Sequence, residues 1–144
     1  MKDRQIYSAL TLFGALPFVA CAALPFVGIV TIAPFGDLDR LAVTYGLAIL
    51  SFLTGIHWAT QLYLPEKTPL NLFVASNVVF LVVLFAYVAA GTAIAIASQL
   101  VAFAFLLVVD YRLHHAGLIT SDYLRIRAIA TIVASASFLA ILLS

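Results

Sequence analysis

Charge is what this sequence has least of. Asp, Glu, Lys and Arg make up 9% of its 144 residues, where a soluble domain carries about 25%. Hydrophobic residues make up 65%, and the mean hydropathy is +1.19. In water such a chain would expose large apolar patches and aggregate, so lipid is the expected solvent. Backbone polar groups in lipid must be satisfied internally, which leaves helices or a closed barrel. The apolar runs are continuous and lack the alternation of barrel strands. We therefore expect an all-α polytopic membrane bundle, with residues 1–144 as a single membrane domain.

Other scarcities narrow the function. Cys21 is the only cysteine, so no internal disulfide can form, and it has no basic neighbour to activate it. The net charge is +1 and the basic residues are scattered, which excludes a nucleic-acid footprint. There is no Gly-x-Ser-x-Gly elbow, no His-Glu-x-x-His pair and no glycine-rich phosphate loop. We expect no catalytic residue, no metal and no cofactor. Phe18-Val19-Ala20-Cys21 faintly resembles a lipoprotein cleavage box, but the chain stays apolar after Cys21, so we read an uncleaved first span.

What is present is a series of long uncharged stretches. Residues 6–35 carry no charge and as one helix would measure about 45 Å, against a hydrocarbon core of about 30 Å. Pro17, Pro25 and Pro34 can bend or stop it, and we place the first span at 6–32 with a kink near Pro17 or Pro25. The turn from Pro34 to Arg40 leads to a second span at 41–64, with Asp39 placed to cap it. Residues 70–109 are also uncharged and about 60 Å long if helical. They are read as spans 70–90 and 92–109 around Gly91. A polar connection from Asp110 to Asp122 precedes a fifth span, 123–143, with Thr120 or Ser121 as its cap. Lys2, Arg4, Lys67, Arg112, Arg125 and Arg127 then share one side, and Arg40 stands alone on the other. That bias puts the N-terminus inside and the C-terminus outside.

With this orientation the polar residues converge on the inner leaflet. His57, Trp58 and Gln61 lie in the inner half of the second span, and Ser76 and Asn77 in that of the third. Asp110 is at the inner end of the fourth, and Tyr123, Arg125 and Arg127 open the fifth. At about 100° per residue, Ser51, Thr54, His57, Trp58 and Gln61 share an arc of about 120°. Beside it Ser51, Gly55 and Ala59 form a small-residue ladder that permits close helix approach. A neutral His57 would donate to Asn77 or Ser76. Asp110, Arg112, Asp122, Arg125 and Arg127 suit an interfacial charge network in which Asp110 pairs with an arginine. His114 and His115 read as solvated loop residues, since adjacent histidines diverge by about 100° on a helix.

Tyr45-Gly46, Ile49-Leu50-Ser51-Phe52-Leu53 and Gly55-Ile56-His57-Trp58 form one recognisable block, joined by Asp110, Arg112, Gly117-Leu118, Tyr123, Arg125 and Arg127. The pattern resembles a family of uncharacterised small membrane proteins of bacteria and mitochondria that includes mitochondrial transmembrane protein 69. Thr54 stands where that pattern has a second glycine. The resemblance implies an inner-membrane location and no known activity. The translocator protein family, which binds porphyrins and sterols, is similar in size and span count alone, since Trp58 is the single tryptophan here.

These observations lead us to expect a non-catalytic protein of the bacterial plasma membrane, or of the mitochondrial inner membrane in a eukaryote. Its inner-leaflet pocket is lined by Thr54, His57, Trp58, Gln61, Asn77, Asp110 and Arg125. Its partners are membrane lipid, a quinone or similar amphipathic ligand, or subunits of a membrane complex. The alternatives are a haem, metal or acid–base enzyme built on His57, or a small transporter. The absence of an internal repeat argues against the two-halved transporter plan.

Overall fold

A computed structural model describes residues 2–143, with side chains described from Gln5 onward. The Lys2 and Arg4 side chains counted above lie outside that set. Helix α1 (Lys2–Phe13) is followed by α2 (Leu16–Ala23) and a 3-10 turn, Leu24–Val27. Strands β1 (Thr31–Ile32) and β2 (Gly36–Asp37) form a small antiparallel ribbon, with Thr31 opposite Asp37 and Ile32 opposite Gly36. Then come α3 (Leu38–Tyr63), α4 (Leu72–Ala89), α5 (Thr92–His115) and α6 (Ser121–Leu143). Among the described residues, five stretches are long and apolar enough to cross a membrane, the first being Gln5–Val27.

Local chemistry explains the boundaries. Pro17 has no N–H to offer the carbonyl one turn earlier, and the first span breaks just ahead of it, between α1 and α2. The Gly14 carbonyl at the break accepts a hydrogen bond of 2.8 Å from Tyr45 Oη on α3, which pins the interruption to the bundle. The span ends at Val27 and not at the expected Ile32, because Pro25 enters a 3-10 turn that Gly28 closes with φ +84°. The Gly28 and Ile29 amides donate to the Pro25 and Leu24 carbonyls, leaving Thr31 and Ile32 free to pair as a strand.

Helix α5 runs past the expected end at 109, since nothing from Asp110 to His115 breaks a helix. It stops at Gly117, φ +74°. There the Gly117 amide donates to His114 O and the Leu118 amide to Leu113 O, a Schellman closure with Leu113 and Leu118 in one apolar cluster. The expected polar connection from Asp110 is therefore mostly helix, and only a short loop separates α5 from α6. His114 is tied back to that loop through Nδ1, 3.0 Å from Ile119 O. Thr120 Oγ1 accepts from the Tyr123 amide at 3.3 Å, capping α6 as expected. Asp39 does not cap α3. The cap position is Asp37, without a side-chain bond, and Asp39 sits in the first turn, where its charge favours the helix dipole.

Helix α3 packs against α2, α4 and α5, while α6 packs against α5, α2 and α1. At the centre Phe18 meets Phe138 and Phe103 edge-on, with ring centroids 5.2 Å and 6.0 Å apart. Gln99, fully buried on α5, reaches across to α3 and donates to Val43 O at 2.7 Å. Gly46 makes this crossing possible, since a Cβ there would overlap Gln99 Oε1 and Phe138 Cζ. The expected close approach at Ser51, Gly55 and Ala59 is not found. All three are exposed, and nothing lies within 4 Å of where a Gly55 Cβ would be.

Overpacking predicts that Gly46→Ala lowers stability by about 1–3 kcal/mol, read from thermal melts in detergent. The cost shrinks in a Gln99→Ala background, which removes the nearest obstacle; equal costs in both backgrounds would rule out this packing account.

Candidate functional site

One carboxylate gathers three helices. Asp110 on α5 accepts from His57 Nε2 of α3 at 2.8 Å through Oδ1, and from Arg127 Nε of α6 at 3.0 Å through Oδ2. The three residues are 3%, 3% and 5% exposed for His57, Asp110 and Arg127 respectively. They lie close to the end of the bundle where α3 and α5 finish and α6 begins. An isolated buried ion is very costly, so the two charges are tolerated here because they are paired. Both carboxylate oxygens are satisfied. Arg127 is not, because its Nη2 has no hydrogen-bond partner among the described residues.

Beside Arg127 lies a cavity of about 540 Å³ between the first span, α3 and α6, within the range of small-molecule sites. Tyr123, Arg127 and Thr131 recur at every fourth residue along α6, which stacks them on one helix face. All three line the cavity, and Ala134 continues the wall beyond them. Thr131 is buried and its Oγ1 also lacks a partner among the described residues. Phe18, Tyr45 and Phe103 form further apolar wall. Leu10 of α1 and Phe52 of α3 complete the lining while being 66% and 68% exposed, so the opening faces the surroundings of the bundle. The break at Gly14 borders this space, and α1 rests on α6 there, where Tyr7 meets Tyr123 at 6.0 Å.

The residues expected to form one pocket divide between different surroundings. His57 and Asp110 meet each other, and His57 has neither Asn77 nor Ser76 as its partner. The Asn77 amide is turned to its own helix, donating to Phe73 O at 2.7 Å, and Ser76 donates to Leu72 O. Thr54, Trp58 and Asn77 line a separate cleft of about 200 Å³ between α3 and α4. There Trp58 stands edge-on to Phe73 at 4.6 Å. Gln61 closes a loop, its Oε1 accepting from the Leu72 amide at 2.9 Å and from Thr68 Oγ1 at 3.0 Å. Arg125 is exposed and lines neither cavity. Asp110 does pair with an arginine as expected, and the pair is buried between α5 and α6. Among the described residues no group of three or more His, Cys, Asp or Glu could hold a metal, and Nε2 of His57 is already engaged.

A model of the family described as "Protein of unknown function (DUF3429)" matches residues 4–143. The chain belongs to that family. No curated protein and no solved structure matches it.

In this DUF3429 chain, sequence reasoning missed the cavity. It placed Arg127 in an interfacial charge network and Tyr123 at the opening of the fifth span, and gave Thr131 no part in a site. Their spacing of four was the available signal, since it puts a phenol, a guanidinium and a hydroxyl in line on one helix.

Removing the carboxylate's charge leaves Arg127 buried without compensation, so Asp110→Asn is expected to cost about 3–5 kcal/mol. Much of this returns in Asp110→Asn combined with Arg127→Gln, which removes both charges. Thermal melts of the single and double variants check this, and additive losses would show that the two charges do not depend on each other.

Proposed function

We propose that this protein binds an amphipathic molecule dissolved in the membrane, in the cavity between its first span, α3 and α6. The observation that carries the proposal is an apolar space of ligand size lined by a buried arginine whose Nη2 has no partner among the described residues. An unmade hydrogen bond to a charged group in low dielectric costs free energy. A ligand head group that accepts from it recovers that cost. The opening beside Leu10 and Phe52 suits entry from the bilayer. The Asp110–Arg127 pair, backed by His57, holds the guanidinium in place, so these residues act in positioning and not in bond making.

The basic residues support an N-terminus inside and a C-terminus outside, in a bacterial plasma membrane or its mitochondrial counterpart. Arg127 drops out of the charge bias because it is buried. Lys2, Arg4, Lys67, Arg112 and Arg125 still oppose Arg40 alone, and the positive-inside rule gives the same orientation. Under it the site lies in the inner leaflet. The cleft holding Thr54, Trp58 and Asn77 is smaller, and among the described residues no unpartnered buried polar atom belongs to its lining, so it is the less favoured location.

Two measurements test the proposal. Purification from native membranes in mild detergent, followed by mass spectrometry of the extract, is expected to yield a retained small amphiphile. Ala130→Phe, which fills the cavity, is expected to lose it. No retained molecule, or retention unchanged by Ala130→Phe, counts against the cavity. For orientation, reporters fused to the two termini are expected to score inside for the N-terminus and outside for the C-terminus, and the reverse result would move the site to the other leaflet.

A further inference from the structure

The chemistry of the cavity also restricts the ligand's head group, provided that the amphiphile reading above is right. Arginine offers only donors and stays charged at all accessible pH values. Here its charge is already matched by Asp110, whose second oxygen is taken by His57. The Asp110 and Arg127 charges cancel each other. Besides Arg127, none of the described residues lining the cavity is Asp, Glu, Lys or Arg. A carboxylate or phosphate head would therefore bring a second negative charge into a buried site whose one guanidinium is already matched by the Asp110 carboxylate. An uncharged acceptor meets the free Nη2 without that penalty.

The second unpartnered group, Thr131 Oγ1, can donate to the same acceptor. The remaining walls favour a flat ring: Tyr7 and Tyr123 stand 6.0 Å apart by ring centroid, and Phe18 and Tyr45 5.1 Å apart. Aromatic faces and edges in this arrangement accept a planar conjugated ring at offset or perpendicular angles. Beyond Thr131 the α6 wall turns apolar at Ala134, which suits a hydrocarbon tail.

We infer that the cavity binds an uncharged, carbonyl-bearing ring with an apolar tail, a quinone by chemical class, with one carbonyl oxygen accepting from Arg127 Nη2 and Thr131 Oγ1. Binding involves no electron transfer. The carbonyl lies toward the end where α6 begins, and the tail runs along α6 toward Ala134.

The test uses the full chain in phosphatidylcholine nanodiscs, titrated with a decyl-substituted benzoquinone and, separately, with decanoate. The expected result is saturable quinone binding about tenfold or more tighter than decanoate. Thr131→Val, which keeps shape and removes the hydroxyl, is expected to weaken the quinone about three- to tenfold while leaving the thermal melt unchanged. Ala130→Phe should abolish binding. Decanoate binding as tightly as the quinone or more so, lost in Ala130→Phe, would overturn the head-group assignment but leave the amphiphile reading standing. Binding of neither probe to protein stripped of endogenous ligand would overturn both. Quinone affinity unchanged by Thr131→Val overturns the placement of the carbonyl.

Discussion

The bundle depends on placing one negative charge, Asp110, at a depth where water cannot screen it. Its two oxygens engage α3 through His57 and α6 through Arg127, so three helices are held in register by one carboxylate. Polar links of this kind between membrane helices are individually modest, typically about 0.6 kcal/mol. The penalty for separating the partners is much larger than the gain from joining them. The arrangement therefore specifies which helices are neighbours more than it strengthens them. Gln99, reaching from α5 to the Val43 carbonyl across Gly46, ties α3 and α5 a second time, nearer the other end of the bundle.

A second constraint acts on the first span. Pro17 interrupts its backbone ladder, and the freed geometry is held by Tyr45 at the Gly14 carbonyl. The break falls at Gly14 and Ala15, both of which line the cavity, and α1 beyond it lies against α6. The cavity thus borders a helix break at a proline, and its polarity comes from the charge pair next to it.

The spans could be read because uncharged runs report depth in lipid directly, and the break near Pro17 because proline has one physical effect on a helix. Span ends were less legible. Asp110 looked like the start of a loop since a charge normally marks the membrane edge, yet its partner Arg127 lets it sit inside. The arc on α3 showed that His57 faces something polar but could not say what. Its partner lies 53 residues away, and the wheel of one helix carries no information about its neighbours. The same limit made Gly55 look like the contact glycine when Gly46 is, because the difference depends on where Gln99 and Phe138 arrive.

The first half of the opening span is short, α1 covering only Lys2–Phe13, and it meets the rest of the bundle chiefly along α6. The gap between Leu10 and Phe52 is bounded on one side by this short helix, so the α1–α6 seam, where Tyr7 meets Tyr123, sets the width of that gap as well as the position of the helix.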